Sequence, residues 1–134
     1  MSAYGFSALV RALHDEYDTA IEHAERALRL SPFDPLRNVP QGALAIAHFF
    51  SGNFERSAAA TADAHIGWGA RYAIQVASTV RLGKLNEARV AAARLIEATP
   101  DFTVAGFERM AQSFLSRPEL AAAISRALTE AGLP

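Results

Sequence analysis

The chain has 134 residues, of which 51% are hydrophobic and 20% are charged, a composition typical of one globular domain. Its net charge is −1, so the sequence does not predict nucleic acid as the main partner. It contains no cysteine, which excludes disulfides and favours a cytoplasmic location. The longest uncharged apolar run, residues 43–50, is too short to span a membrane, and no signal peptide is predicted.

Apolar residues at three- and four-residue spacing predict an all-α chain. The predicted helices cover residues 3–14, 17–30, 39–51, 54–66, 71–82, 85–98, 103–114 and 119–131. Gly52 and Gly83 end two of them, and Asn38 is the predicted N-cap of the third helix. Ser116 and Glu119 form a predicted capping box at the last helix.

One motif occurs three times along the chain. An aromatic residue or leucine stands three residues before a small residue, first as Tyr17 and Ala20 and later as Leu85 and Ala88. The motif predicts closely crossing helices that bury small side chains. The predicted contacts are Ala20, Ala24, Ala27, Ala45, Ala88 and Ala92.

A repeat near 34 residues is the mark of a helical array. The predicted hairpin turns at Asp15, Gly52 and Gly83 lie 37 and then 31 residues apart. We therefore expect a single domain, 1–134, with helical repeats at 1–34, 38–69 and 70–100. Tail and capping helices are expected over 101–134.

The repeats resemble the tetratricopeptide repeat family over about residues 1–100. Ala8, Ala20, Ala27 and Pro32 match its pattern in the first repeat, and Gly83, Ala88 and Pro100 match it in the third. The resemblance implies a right-handed superhelix of antiparallel helix hairpins with a C-terminal capping helix. Trp68-Gly69 departs from the pattern, since it replaces the expected proline.

A narrower likeness rests on the string from Ala27 to Pro35 and on the ending from Ala127 to Pro134. Both look like a bacterial subset of these repeats at the C-terminal end of signalling proteins. Those proteins carry class III adenylate or guanylate cyclase domains or winged-helix domains. The likeness implies a regulatory segment of a larger protein, in which Met1 is not the natural start.

The sequence predicts no catalytic site, cofactor or metal. No two of the four histidines are three or four residues apart, as a helical zinc-binding pair would be. Acidic residues near Asp15 are explained by a helix start, whose dipole they complement. We expect His48 to be a partly buried packing residue.

The candidate binding site is a concave groove, which the first helix of each hairpin lines in the resembling family. The groove candidates are Leu9, Leu13, Ile46, Phe49, Phe50, Val80 and Arg81. Only Arg81 is basic, so a clamp for a peptide carboxylate is not expected. An apolar stripe of this length is seldom left open to water.

Three occupants of the groove stay open at this point. One is the chain's own tail around Phe107, Met110 and Phe114, another is a second copy in a homodimer, and the last is an external apolar ligand. The predicted function is non-catalytic protein–protein interaction, with a protein or peptide as partner and no membrane partner. The alternatives are a homo-oligomerisation module and a sensor of a small apolar molecule.

Overall fold

The computed structural model describes residues 3–62 and 69–134, and α-helices are the regular elements of these residues. The helices are α1 (Ala3–Leu13), α2 (Tyr17–Leu30), α3 (Asn38–Phe50), α4 (Phe54–Ala62), α5 (Gly69–Arg81), α6 (Leu85–Ala98), α7 (Val104–Gln112) and α8 (Pro118–Glu130). The predicted all-α class is confirmed. The right-handed superhelix stays a prediction.

The predicted bounds agree with the structure at both ends of α2 and α6. Helix α5 begins two residues before the predicted start at Arg71. The predicted end of the fourth helix near Ile66 lies outside the described residues, as do His65 and Trp68.

The predicted N-cap at Asn38 is wrong, because Asn38 is already the first residue of α3 and Arg37 precedes it. A tight turn that begins at Asp34 makes the helix start one residue earlier than predicted. The Leu36 amide donates to Asp34 Oδ1 at 2.8 Å, and the Arg37 amide donates to the Asp34 carbonyl at 3.0 Å. The Leu36 amide also holds the pKa of Asp34 below its usual value.

The predicted capping box at Ser116 is also wrong. Arg117 is the N-cap of α8, its backbone is extended, and no side chain caps the helix there. Pro118 explains the shift, because its fixed φ suits the first helical position and favours an extended residue before it. Glu119 lies 3.7 Å from the Arg117 guanidinium instead of reaching Ser116.

The three hairpins close with the same backbone geometry. Asp15, Gly52 and Gly83 have left-handed φ values of 67°, 81° and 78°. The amide of the next residue donates to the carbonyl five positions earlier, over 2.9 Å from Glu16 to Arg11 and 2.8 Å from Asn53 to His48. Lys84 donates to Thr79 in the same way at 3.2 Å. This pattern is a Schellman helix ending, and it fixes a common frame for the hairpins.

The helices divide into two compact units, residues 1–67 and 68–134. In the first unit α1 pairs with α2 and α3 pairs with α4. Helix α3 packs against both α1 and α2, so the second hairpin stacks on the first.

In the second unit α5 pairs with α6, and α8 packs against both α5 and α7. Leu120, Ile124 and Leu128 form the buried stripe of α8. The chain end is held as well, because the Val104 amide at the start of α7 donates to the Pro134 carbonyl at 2.7 Å.

Small side chains fill the crossings between helices. The six predicted contact alanines are all buried. Ser57 occupies the position in α4 that Ala20 has in α2, and its hydroxyl donates to the Ala45 carbonyl of α3 at 2.7 Å. The helices therefore approach closely enough for a side chain of one to reach the backbone of the other.

Replacing Gly52 with alanine should lower the free energy of unfolding by about 1–2 kcal/mol, the cost of a left-handed alanine. A Cβ on Gly52 would have no atom within 4 Å, so conformational strain alone sets this cost. Gly52→Asn should cost less, because asparagine adopts this conformation more readily. Urea unfolding measures all three chains, with Ser51→Ala as the control. Equal stability of Gly52→Ala and the wild type would contradict the assigned turn.

Replacing Ala88 with leucine should destabilise the chain by about 1–3 kcal/mol through overpacking. Ala88 is fully buried, whereas Ala93 on the same helix is exposed. Ala93→Leu is therefore the matched control and should change stability by less than about 0.5 kcal/mol. Thermal unfolding of the two variants separates them, and an unchanged midpoint for Ala88→Leu would contradict the close helix crossing.

Candidate protein-binding surface

The groove candidates of the first unit come from equivalent positions of α1 and α3. Counting back from the left-handed residue of each hairpin, Leu9 corresponds to Ile46 and Leu13 corresponds to Phe50. Leu9, Leu13 and Phe50 are half-buried, whereas Ile46 is buried. Partial exposure at three of these positions leaves apolar surface on the first helices.

Phe49 and Phe50 point in different directions, as expected for neighbours on a helix. Phe49 is buried inside its hairpin, where its ring centroid lies 5.3 Å from that of Phe54 at an interplanar angle of 71°. Phe50 packs instead on Tyr17 of the preceding hairpin, with 6.0 Å between the ring centroids. Phe50 is therefore the ring of this pair that a partner can reach.

Val80 and Arg81 lie in the last turn of α5, in the second unit. Val80 is half-buried and Arg81 is exposed. The Val80 carbonyl accepts the Gly83 amide at 2.9 Å, so its position follows from the hairpin turn.

The tail residues that were considered as groove occupants have different environments. Phe107 is buried in the second unit, with its ring centroid 6.2 Å from that of Phe102. Met110 and Phe114 are exposed. Of the three tail side chains, Phe107 alone is buried.

A polar cluster between α1 and α2 was missed by the sequence analysis. Ser7 Oγ and His23 Nδ1 are hydrogen-bonded at 2.8 Å, and Arg11 Nε donates to the same Ser7 oxygen at 3.1 Å. The Tyr4 ring meets the His23 ring edge-on at 5.5 Å between centroids. The Arg26 guanidinium lies 4.6 Å from the Tyr4 centroid, a cation–π distance.

The signal for this cluster was present on each helix separately. Ser7 and Arg11 are four residues apart on α1, and His23 and Arg26 are three apart on α2, so each pair shares a helix face. Only the pairing of the two helices brings them together. The cluster links α1 to α2 and places two arginines beside the apolar face of the first hairpin.

His48 is a buried ionisable group in the core of the first unit. Burial lowers the pKa of His48, the Arg56 charge on α4 lowers it further, and Glu25 on α2 opposes this shift. His48 Nδ1 has no hydrogen-bond partner among the described residues. These features stabilise the neutral imidazole relative to the charged one.

Two other features are absent from residues 3–62 and 69–134. No group of three histidine, aspartate or glutamate side chains could hold a metal ion there. No helix in the same ranges has the length and apolar character needed to cross a bilayer.

Comparisons with known proteins give no assignment. No protein-family model matches the chain, and no curated protein or solved structure matches it either.

Acidification should destabilise the chain through His48. Above the unfolded pKa of about 6.5, His48 is neutral in both states and the folded protein has its full stability. As the pH falls below that value, the unfolded chain binds a proton that folded His48 does not, so stability decreases until the lowered folded pKa is reached. Urea midpoints measured between pH 8 and pH 5 should record this loss.

The variant His48→Gln removes the titrating group and should lose less stability over the same pH range. His14→Gln is the control, because His14 is an exposed histidine of the same unit. If His48→Gln retained the full pH dependence of the wild type, another group would be its source.

Proposed function

We propose that the chain is a non-catalytic protein-interaction module, which binds an apolar segment of a partner along the first helices of its first two hairpins. The observation that carries the proposal is the half-buried apolar surface of Leu9, Leu13 and Phe50 on α1 and α3. These residues occupy equivalent positions in stacked hairpins, the arrangement with which helical arrays make extended binding surfaces.

The chemistry of this surface favours a peptide with apolar anchors. Helix α1 contains no carboxylate, and its single charged residue, Arg11, has a guanidinium nitrogen 3.4 Å from Glu16 Oε2. An amphipathic partner helix would present apolar side chains at three- and four-residue spacing to such a surface. Burying one aromatic ring there would contribute about 1.5–3 kcal/mol.

The parent protein is a further part of the proposal and rests on the resemblance alone. We place the module in the cytoplasm, as a regulatory segment of a larger bacterial signalling protein such as a nucleotide cyclase. In that setting, partner binding at the module would control or localise the attached domain.

Selection from a displayed library of amphipathic peptides tests the proposed surface. Selected peptides should bind the chain with micromolar dissociation constants, measured by fluorescence anisotropy. Leu13→Ser and Phe50→Ser should each weaken binding at least tenfold, which is about 1.4 kcal/mol. Circular dichroism confirms that the variants keep their helices.

Leu30→Ser and Phe33→Ser are the matched controls, because both remove an exposed apolar side chain from the same unit. They should leave peptide affinity within about twofold of the wild type. A library that yields no binder, or binders that Leu13→Ser and Phe50→Ser do not affect, would overturn the proposal.

A further inference from the structure

When residues are counted back from the left-handed residue of each hairpin, an exposed face of α1 corresponds to a buried face of α3. Phe6 and Val10 are as far from Asp15 as Ala43 and Ala47 are from Gly52. We use the name outer face of α1 for Phe6 and Val10, which lie four residues apart on one side of the helix.

Ala43 and Ala47 are buried because the first hairpin covers them. Around α3 they lie between Phe50, whose ring packs on Tyr17 of α2, and His48, whose pKa is affected by the charge of Glu25 on α2. Both alanines have no exposed surface. This face of α3 is therefore the one by which the second hairpin stacks on the first.

The equivalent face of α1 is open. Phe6 is 60% exposed and Val10 is 55% exposed, although both are large and apolar. The corresponding residues of α5, Ile74 and Ser78, are buried like those of α3. The positions that are buried on α3 and α5 are thus exposed on α1.

We propose that the outer face of α1 is a self-association surface, which takes the same face of a second copy of this chain across a two-fold axis. The proposal does not require the peptide-binding function, although the two surfaces adjoin, because Phe6 lies within about 60° of both Leu9 and Leu13 around α1. The interface would use the face of α1 that is equivalent to the face by which α3 stacks on the first hairpin.

Self-complementarity favours a second copy as the occupant. A stripe of two residues is nearly unchanged when its direction is reversed, so antiparallel α1 helices place Phe6 of one chain near Val10 of the other. The approach brings no carboxylates together, because α1 has none, and its Arg11 lies beside Glu16. At the edge, exposed Glu22 and Arg26 offer both signs of charge for reciprocal pairs.

The size of the face sets the expected affinity. Two paired helices of 11 and 14 residues present a face of about 20 Å by 20 Å, given helix lengths and diameters. A face of this size on each of two chains would bury about 800 Å² in total, in the range of weak, transient interfaces. We therefore expect a dimer with a dissociation constant in the micromolar range.

Sedimentation equilibrium from about 1 to about 500 µM, a range that brackets such affinities, tests the proposal. The mass of the wild-type chain should rise from 14.4 kDa towards twice that value. Phe6→Asp and Val10→Asp should each raise the dissociation constant at least tenfold. Phe6→Ser and Val10→Ser provide milder changes at the same positions, and circular dichroism monitors the fold.

Matched controls exist for both substitutions. Phe33 is 91% exposed and Val90 is 57% exposed, so Phe33→Asp and Val90→Asp remove the same residue types from other surfaces. They should leave the dissociation constant within about twofold. Equal weakening by the controls, or a dimer that survives Phe6→Asp, would overturn the proposal.

Two further outcomes are decisive. A wild-type chain that stays monomeric at the highest concentration overturns the second copy as occupant and leaves the face to a helix of another protein. Because the chain has no cysteine, the variants Phe6→Cys and Val10→Cys permit a clean cross-linking test. Mild oxidation of an equimolar mixture of the two variants should link Phe6→Cys of one copy to Val10→Cys of the other more readily than it links two copies of either variant, and equal yields of the three products would contradict the two-fold arrangement.

Discussion

The hydrogen bond that closes each hairpin is the constraint on which the rest of the structure depends. It runs from the residue after the left-handed position to a carbonyl five residues back, and it sets the rotation of the second helix against the first. As a result, the residue seven positions before the left-handed residue faces the residue five positions after it. Ala45 and Ser57 meet at these positions through a 2.7 Å hydrogen bond, and their equivalents Ala8 and Ala20 are fully buried.

The residue whose carbonyl accepts the closing hydrogen bond has a different polar side chain in each hairpin. The carbonyls that accept the closing bonds belong to Arg11, His48 and Thr79, all of which have polar side chains. Arg11 is half-buried and stays near water with Glu16 as its partner. His48 lies inside the stack, where burial favours its neutral form. Thr79 turns its hydroxyl back to donate to the Gln75 carbonyl at 2.7 Å. The surroundings of each hairpin therefore decide how the polar side chain at this position is accommodated.

The sequence predicted the features that local chemistry controls. The bounds of α2 and α6, the turns at Asp15, Gly52 and Gly83, and the buried alanines follow from spacing, glycine and helix-breaking residues. The errors at Asn38 and Ser116 arose where two local signals competed. At Asn38 a preceding aspartate turn began the helix early, and at Ser116 a proline moved the cap by one residue.

Features that depend on tertiary pairing could not be predicted in this way. The contact between Ser7 and His23 joins residues 16 positions apart, and nothing in either helix alone requires it. Phe49 is buried because it packs on Phe54 inside its own hairpin. Phe50 stays accessible because it packs on Tyr17 of the previous hairpin. The open face of α1 is apparent only when the frames of α1 and α3 are compared.

The short reach of the hairpin contacts has a consequence for how the chain folds. Loop closure within a hairpin spans few residues, so its entropic cost is small, and chains rich in such local contacts fold fast. Ribosomes add about 5–20 residues per second. The first hairpin, complete at Leu30, can therefore form as soon as it has left the ribosome. Helix α3 would then find the surface of the first hairpin already in place, so the first unit would assemble in the direction of translation.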